Sequence, residues 1–404
     1  MRTPLEGIRV LDLTRALAGP FCTALLSDLG AEIIKVEGSP TGDPARDWGP
    51  FKGEDSLYFA SVNRGKSSIT LDFRAPGSIE LLREMISQVD VVIENFRPGV
   101  MTKMGLDPDE LRAKNPRLVV SSVSGYGSVG PERESAGLDQ VAQGMSGLMS
   151  VTGPDKDHLY RFGVPIVDEL AGLFSAVGIL AALVGRERHG EGSRIETSLL
   201  EAGISAMIFQ AQQFLSLGLV PEPQGNQHPV ICPYGAFATA DTPLTIAVGT
   251  TRHWELFCGI LGEPELASRP EYATGSLRKA NNDALTADIE RLLSANTAAH
   301  WLPRLREAGI PAGPIYTVDQ TFADPQVQAL EMVQHVADDR GELVPMLRGP
   351  LSVDGEFTRV KSAAPLLGAH GRDVLKRFGY DESRIDSLIE AGVLKLRDEK
   401  GGTK

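Results

Sequence analysis

Three segments near the start of the chain decide the fold: Ile8-Arg-Val-Leu-Asp-Leu13, the stretch Pro20–Leu29, and Glu32-Ile-Ile-Lys-Val-Glu37. The first and third are short apolar runs typical of buried strands, and the second has helical spacing. Gly30 directly follows that helical pattern and can serve as its C-cap. The order strand, helix, strand predicts one unit of a parallel sheet.

The same alternation continues along the first half of the chain. Strand-like and helix-like patterns follow one another at Ser67–Phe73, Ser78–Gln88, Val89–Glu94, Asp107–Lys114 and Leu118–Val123. Short apolar strands separated by helices are typical of a sheet that is covered on both faces. We therefore predict an α/β protein with a Rossmann-like, doubly wound parallel sheet, whose strand-end loops gather the ligand.

A break in the sequence suggests where domains begin. The segment Pro221-Glu-Pro-Gln-Gly-Asn-Gln-His-Pro229 is rich in residues that interrupt regular structure. The sequence predicts that residues 1–224 begin a large domain, that 225–325 form a smaller α/β domain, and that 326–404 complete the large one. Elements expected after the break are Thr245–Val248, His253–Leu261, Asn282–Ser294, Ala298–Ala308, Glu382–Ala391 and a polar tail at 396–404.

Two long apolar patterns, Leu170–Val184 and Leu199–Leu217, each predict a helix. The uncharged run from Leu170 to Gly185 is shorter than the roughly 20 residues needed to span a bilayer. We therefore expect no membrane span, and place the first helix in a core or at a subunit interface.

Composition limits the class of protein. Of the 404 residues, 42% are hydrophobic and 23% charged, as in ordinary globular proteins, and the net charge of -13 argues against nucleic acid or an anionic membrane as a partner. The three cysteines are far apart and no apolar signal core follows Met1, so a cytoplasmic protein is expected. The histidines and cysteines lack ligand spacing, so no metal site is predicted.

Asp168 is the candidate catalytic residue. It ends the turn Arg161-Phe-Gly-Val-Pro-Ile-Val-Asp168, directly before the long apolar helix. This position predicts a side chain at or near the helix N-cap, where N–H groups and the helix dipole favour the ionised carboxylate. Such a carboxylate can act as a nucleophile toward an activated acyl group. A cap without chemistry is the commoner reason for an Asp here, and from this segment alone both interpretations stay open.

Several basic residues lie near predicted strand ends. Arg97 and Lys103 follow one strand, and Arg64, Lys66 and Arg74 flank another. Positive charge at such ends is consistent with a phosphate-rich ligand, although solvated basic residues on a turn would give the same pattern.

One glycine motif has the spacing of a dinucleotide loop. Gly125-Tyr-Gly-Ser-Val-Gly130 follows a predicted strand, but Pro131 and charged residues come next instead of a helix. Without a helix N-terminus to receive the phosphates, a nicotinamide oxidoreductase is disfavoured.

Taken in order, these segments resemble the CaiB/BaiF family, the family III CoA-transferases. The likeness extends over nearly the whole chain, and no single motif carries it. Its pieces are Leu11–Pro20, Leu29–Glu37, Asn63–Asp72, Glu94–Gly99, Asp139–Gly147, Asp168, Gly225–Pro229, Gly309–Pro314 and Pro365–Gly368.

The resemblance implies an architecture and a chemistry that spacing could not show. Family members are ring-like chains, two of which thread through each other as an interlocked homodimer. Asp168 would accept the donor acyl group as a mixed anhydride and then form an aspartyl-CoA thioester, from which CoA passes to the acceptor carboxylate. Coenzyme A thioester is then a substrate, and no prosthetic group or metal is implied.

The resemblance also assigns a CoA site. Carried over by motif, the contacts fall on Leu17, Ala18, Leu71, Asp72, Phe73, Arg74, Asn95, Phe96, Arg97, Lys103, Gly137, Leu138, Asp139 and Gln140. Leu17 replaces a glutamine and Leu138 an aromatic residue of the formyl-CoA transferase branch, and no tetraglycine loop follows residue 225. These departures argue against oxalate as acceptor and favour the branch that uses succinyl-CoA with dicarboxylic acids such as glutarate or itaconate.

Two alternative functions remain. An acyl-CoA racemase of this fold uses a His–Asp pair where this chain has Leu138-Asp139, and loss of the histidine removes one of the two bases that proton exchange requires. A non-catalytic acyl-CoA binding protein is the other alternative, and it would not need Asp168.

Overall fold

The computed structural model describes residues 3–397, which form two compact units. The first unit contains residues 3–148, 161–217 and 328–397, and the second contains 149–160 and 218–327. Part of the polar tail expected at 396–404, residues 398–404, lies outside the described residues.

The strands are short, as expected for a sheet with many crossovers. In chain order they are β1 (Arg9–Asp12), β2 (Glu32–Gly38), β3 (Phe51–Lys52), β4 (Asp55–Ser56), β5 (Lys66–Leu71), β6 (Val91–Glu94), β7 (Val119–Ser124), β8 (Arg194–Ser198), β9 (Tyr234–Phe237), β10 (Leu244–Ala247), β11 (Ala312–Pro314), β12 (Val333–Ala337), β13 (Leu343–Leu347), β14 (Ser352–Val353), β15 (Glu356–Phe357) and β16 (Leu394–Lys395).

Helices separate most of these strands. They are α1 (Ala18–Asp28), α2 (Leu57–Val62), α3 (Ser78–Ile86), α4 (Val100–Lys103), α5 (Pro108–Lys114), α6 (Asp139–Met145), α7 (Ile166–His189), α8 (Leu199–Ala206), α9 (Ile208–Leu217), α10 (Thr251–Ile260), α11 (Gly275–Ala280), α12 (Asn282–Leu293), α13 (Ala298–Glu307), α14 (Val318–Ala323), α15 (Pro325–Ala329), α16 (Gly371–Arg377) and α17 (Glu382–Glu390).

The first unit is built on a seven-stranded sheet in the order β16-β5-β2-β1-β6-β7-β8. Within this sheet, β5, β2, β1, β6, β7 and β8 are parallel to one another. β16 pairs antiparallel with β5 at one edge. From β1 the chain moves outward first to β2 and β5, and then continues on the other side of β1 with β6 and β7. The doubly wound sheet predicted from the sequence is confirmed.

Both faces of this sheet are covered, which explains why its strands are almost wholly apolar. Leu11 and Val92 pack on one face against α3, α16 and α17, whereas Val10 and Val91 pack on the other against α1 and α7. Neighbouring residues of a strand point to opposite faces, so one strand contributes to both cores.

Helix α7 is the long apolar helix expected from the sequence, and it extends over 24 residues. Within residues 3–397 it alone is long and apolar enough to cross a membrane by length and composition. It packs against α1, and at their closest approach a Cβ on Gly172 would collide with the carbonyl oxygen of Ala18. This contact is that of a core helix, although Val177 and Val184 on its other side are exposed.

The second long helix expected from the sequence, Leu199–Leu217, is in fact two helices. Met207 leaves the helical backbone (φ −82°, ψ 20°), so α8 ends at Ala206 and α9 begins at Ile208. The apolar pattern continues through the break, because side-chain hydropathy does not show where the backbone hydrogen bonds are interrupted.

The second unit is a smaller α/β body. Its antiparallel sheet has the order β11-β10-β9, and helices α10, α12 and α13 pack against it. The core centres on Trp254 and Phe257, both fully buried.

Candidate active site

The carboxyl ends of the central strands meet where the order of the sheet reverses, between β1 and β6. In doubly wound sheets this is the position at which ligands bind. A cavity of about 330 Å³ opens there. The residues that line it are Leu13, Thr14, Arg15, Val36, Glu37, Gly38, Ser39, Gly42, Asp43, Phe73, Phe96, Val100 and Met104.

The loop after β1 is fixed by two buried carboxylates. Asp12 accepts hydrogen bonds from the backbone N–H of Thr14 (2.9 Å) and from its hydroxyl. Asp43 accepts one from the backbone N–H of Ala16 (3.0 Å). Ala16 has a left-handed backbone (φ 65°), which is unfavourable for a residue with a Cβ. These contacts hold the loop that leads into Leu17.

Two lysines neutralise those carboxylates inside the protein. Lys35 lies 2.9 Å from Asp43, and Lys66 lies 3.0 Å from Asp12, with all four side chains fully buried. Burial would raise the pKa of Asp12, but the charges of Lys66 and Lys35 and two hydroxyl hydrogen bonds outweigh it, so this pKa lies well below its usual range. Burial also lowers the pKa of Lys66 to about 8 despite the attraction of Asp12.

A second loop, which follows β6, is bound to the first. The side chain of Asn95 accepts from the backbone N–H of Arg15 and donates to its carbonyl oxygen, both at 2.8 Å. The guanidinium of Arg15 lies 5.0 Å from the ring centre of Phe96. The loops after β1 and β6, which carry part of the predicted CoA contacts, are therefore held together.

Asp168 lies in the first turn of α7, but it does not cap the helix. The N-cap is Pro165, and Asp168 is the third helical residue. The carboxylate of Asp139, at the start of α6, instead accepts from the backbone N–H groups of Val167 (3.0 Å) and Asp168 (3.5 Å). Asp168 thus lies near the helix N-cap, as predicted, but the capping carboxylate is supplied by Asp139, a residue distant in sequence.

The expected ionisation of Asp168 also requires correction. Burial, the charge of Asp139 and the charge of Glu169 raise the pKa of Asp168 to about 7. The helix N-terminus already carries the Asp139 carboxylate, so a second negative charge there meets repulsion. Burial and Asp139 likewise raise the pKa of Glu169. Near neutral pH, Asp168 is poised between its two protonation states.

Asp168 lies on the same side of α7 as Gly172, which packs on α1. Residues four apart on a helix share a face, so Asp168 lies one turn before Gly172, whose Cα packs on the carbonyl of Ala18. The Leu17–Ala18 pair expected to contact CoA therefore lies at the start of the helix that packs on α7. Leu17 and Ala18 are themselves buried.

Sequence reasoning missed an aromatic pair beside these carboxylates. Burial and the charges of Asp168, Asp139, Asp43 and Glu169 raise the pKa of Tyr58 to about 12. The half-buried ring of Tyr58 packs edge-on against the exposed ring of Trp48, with 5.2 Å between the ring centres. The one sequence feature that could have indicated these two rings is their position after β2, beyond its carboxyl end.

The other predicted CoA contacts divide into three groups. Phe73 and Phe96 line the cavity. Leu71 is fully buried in the core, so its side chain cannot reach a ligand and only its backbone can. Exposed side chains near the cavity or at the start of α6 are those of Arg74, Arg97, Lys103, Leu138 and Gln140.

Asp72 and Gly137 have local structural roles as well. The Asp72 carboxylate accepts from the backbone N–H of Arg74 at 3.0 Å. Gly137 packs directly on the backbone of Gly125, where a Cβ on either glycine would collide with the other. That contact fixes the start of α6, and hence Asp139, beside the end of β7.

Two of the basic residues cited for a phosphate ligand are not available for one. Arg64 pairs with Asp28 at 2.6 Å and Lys66 pairs with Asp12, and all four side chains are buried. The sequence interpretation was wrong for these two, because charged residues beside a strand were assumed to face solvent. Within residues 3–397, no group of three or more His, Cys, Asp or Glu side chains is arranged to hold a metal ion.

Comparison with known proteins gives a consistent result. The family model of CoA-transferase family III matches residues 5–371. The chain is 38% identical to the acetyl-CoA:oxalate CoA-transferase of Acetobacter aceti, over 94% of this chain and 97% of the relative. It is 37% identical to the succinyl-CoA:glutarate CoA-transferase of Mus musculus, over 98% and 92%. A crystal structure of a CaiB/BaiF family protein from Brucella suis superimposes with a TM-score of 0.83 at 40% identity, over 94% of this chain and all of that one.

Proposed function

This chain belongs to CoA-transferase family III, and from that premise we propose that Asp168 is the nucleophile through which CoA moves from an acyl-CoA donor to a free carboxylic acid. The observation that supports this assignment most directly is the setting of Asp168. It is partly buried on the first turn of α7, its charged neighbours are carboxylates, and its pKa is raised to about 7. Perturbed carboxyl groups of this kind are typical of catalytic positions.

The proposed reaction consists of acyl exchanges. An Asp168 carboxylate oxygen attacks the thioester carbonyl of the donor, the C–S bond breaks, and CoA leaves as a thiolate. The thiolate then attacks the Asp168 carbonyl of the mixed anhydride, which releases the donor carboxylate and leaves an aspartyl-CoA thioester. The acceptor carboxylate then attacks the aspartyl-CoA thioester and releases the CoA thiolate. The thiolate attacks the acceptor carbonyl of the new anhydride, so that acceptor acyl-CoA forms and Asp168 is regenerated as a carboxylate.

The raised pKa of Asp168 fits this chemistry. A carboxylate of higher pKa is the stronger nucleophile once ionised, and at neutral pH a substantial fraction of Asp168 is ionised. The coenzyme A thioester is a substrate here, so the proposal requires no prosthetic group.

We place the nucleotide end of CoA in the cavity at the strand ends. Its aromatic and aliphatic lining, which includes Phe73 and Phe96, suits a planar base, and Arg97 and Lys103 are exposed beside it and suit phosphates. Replacing Arg97 or Lys103 by Ala should weaken CoA binding by ~1–3 kcal/mol, the range for a charge-assisted hydrogen bond. Calorimetry with Lys114→Ala, an exposed lysine on α5, provides the control.

Trapping tests the nucleophile directly. The enzyme is incubated with acyl-CoA and hydroxylamine, which captures an activated carboxyl group as a hydroxamate, and its peptides are analysed by mass. We expect the label on Asp168 and none in a sample without acyl-CoA. A label on Asp139 or Glu169 instead would transfer the role to a neighbour.

For substrates, we propose a short dicarboxylate acceptor and succinyl-CoA as a possible donor class, in line with the name of the mouse relative. The chain is similar to an acetyl-CoA:oxalate CoA-transferase, so the sequence argument against oxalate no longer holds and oxalate is included in the test. A panel of short acyl-CoA donors is to be combined with glutarate, itaconate, succinate and oxalate, and the CoA products identified by mass. Transfer only to monocarboxylates would contradict this proposal.

The racemase alternative is disfavoured by the position of Asp139. Both of its oxygens accept hydrogen bonds, and its neighbour Leu138 is 69% exposed and has no ionisable group. A racemase needs a base on each face of the α-carbon. Incubation with 2-methylacyl-CoA in D2O should therefore leave the α-carbon unlabelled, while deuterium uptake at the rate of turnover would favour racemisation.

We further propose that two chains form an interlocked homodimer. Helix α9 has no buried residue, and its Ile208, Leu215 and Leu217 are between 68% and 80% exposed. So much apolar surface on one helix is expected to be covered by a partner. Light scattering that returned an active monomer would overturn this proposal.

A further inference from the structure

Gln143 is a fully buried polar residue to which the proposed chemistry assigns no role. It lies on α6, one turn after Asp139. Its amide nitrogen donates to Asp139 Oδ2 at 2.6 Å, and its amide oxygen accepts from the backbone N–H of Phe162 at 2.8 Å. A buried amide that satisfies both of its ends in this way is held in one orientation.

These contacts form a chain that ends at Asp168. Phe162 belongs to the turn before α7, and Gln143 joins that turn to Asp139. Asp139 in turn accepts from the N–H groups of the second and third residues of α7, Val167 and Asp168. Without the hydrogen bond from Gln143, the Asp139 carboxylate would be held by Oδ1 alone, through the backbone N–H groups of Val167 and Asp168, and Oδ2 could turn toward water. Gln143 thus fixes the second oxygen of Asp139 and with it the orientation of that carboxylate on the helix.

We propose that Gln143 is a positioning residue for the transfer reaction, one that fixes the Asp139 carboxylate on the first turn of α7, beside Asp168. The inference rests on the proposed role of Asp168 as nucleophile. Gln143 itself does not touch the reacting atoms, and it acts only through Asp139.

The groups that face Asp168 determine the direction of the effect. Asp139 approaches from α6, Glu169 from α7 itself, and Tyr58 from α2, with Asp43 also near Tyr58. These charged neighbours are acidic, so displacing one of them eases ionisation of Asp168. Loss of Gln143 should therefore lower the pH at which the nucleophile becomes active.

The test compares pH profiles of kcat/KM, whose acidic limb reports ionisation in the free enzyme. In Gln143→Met the limb should move down by about 1 pH unit, the order expected when one nearby like charge is displaced. Gln143→Asn, which is one methylene too short to bridge, should move it the same way and serves if the Met variant fails to fold. Gln88→Met, at an exposed glutamine after α3, is the matched control and should leave the limb unchanged.

A double-mutant cycle separates positioning from general damage. Asp139→Asn alone should lower the limb as well, and adding Gln143→Met or Gln143→Asn to it should cause no further shift. Folded Gln143 variants with a wild-type limb, or variants that shift it fully in the Asp139→Asn background, would overturn the inference. Failure of the nucleophile proposal is recognised separately, by a hydroxamate that forms on a residue other than Asp168.

Discussion

Asp12 and Asp168 are aspartates of the same unit, and burial pushes the pKa of each upward. At Asp12 the neighbours are Lys66 and Lys35, and the pKa falls well below its usual range. At Asp168 the neighbours are Asp139 and Glu169, and the pKa rises to about 7. Burial raises the pKa of both groups, and the nearby charges decide whether that rise is reversed, as at Asp12, or reinforced, as at Asp168.

The difference separates two tasks. The carboxylate of Asp12 is compensated and permanently charged, so it can hold the loop after β1 in place. Asp168 is uncompensated, and its proton is exchanged near neutral pH, which suits a group that must attack a carbonyl.

The largest expected effect is the loss of chemistry at the uncompensated site. Asp168→Ala should reduce CoA transfer by about 10⁴-fold or more, the range seen when a catalytic nucleophile is removed. CoA affinity, measured by calorimetry, should stay within a factor of a few, because the cavity residues are untouched. Transfer at a near-normal rate in this variant would contradict the contrast between the two aspartates.

The next largest effect is expected when one lysine is removed from the buried ion pairs. Lys35→Met leaves Asp43 buried without its cation, and removal of one partner of a buried ion pair costs about 3–5 kcal/mol. Urea unfolding measures the change. Lys52→Met, at an exposed lysine of β3, is the control and should change the free energy of unfolding by less than ~0.5 kcal/mol. Equal stability of both variants would mean that the network does not hold the fold.

The contrast was only partly predictable from the sequence. The parallel sheet could be predicted because β1, β2 and their neighbours are short apolar runs separated by helical spacing. The ion pair between Asp12 and Lys66 could not, because it joins residues 54 positions apart and both stand in segments that look like ordinary strands with charged ends. Such an ion pair depends on which residues become neighbours in space, and spacing along the chain does not show this.

The candidate site shows the same limit. Asp168 could be identified as a nucleophile candidate from its place before a long helix and from the family resemblance. Its protonation could not, because the cap at the helix start comes from Asp139, which contacts Val167 across 28 positions of sequence. Tyr58 was missed because a lone aromatic residue in a short helix carries no sequence signal.

The pH dependence of the free energy of unfolding tests the raised pKa of Asp168. The pKa of Asp168 is raised on folding, so its contribution is fully present below the unfolded value of 3.8 and is lost as pH rises through about 7. Relative to Asp168→Asn, the wild-type protein should therefore lose about 1–3 kcal/mol of stability between pH 4 and pH 8, after allowance for solvent screening. Chemical unfolding at the two pH values measures the difference, and a constant gap would show that Asp168 is not strained by its neighbours.

The smallest effect concerns the strained residue in the loop that the compensated network holds. Ala16 has a left-handed backbone with φ of 65°, and its N–H donates to Asp43. Ala16→Gly removes a steric cost of about 1–2 kcal/mol but increases the entropy of the unfolded chain, so the net change should stay within ~1 kcal/mol. CoA affinity should be unchanged, because the buried carboxylates and not the Ala16 side chain fix the loop. Ala16→Val, which is β-branched and tolerates this backbone poorly, should destabilise the protein measurably. If Ala16→Gly instead weakened CoA binding several-fold, the loop would depend on its own side chains. The conclusion that the buried carboxylates hold the loop, while Asp168 supplies the chemistry, would then be wrong.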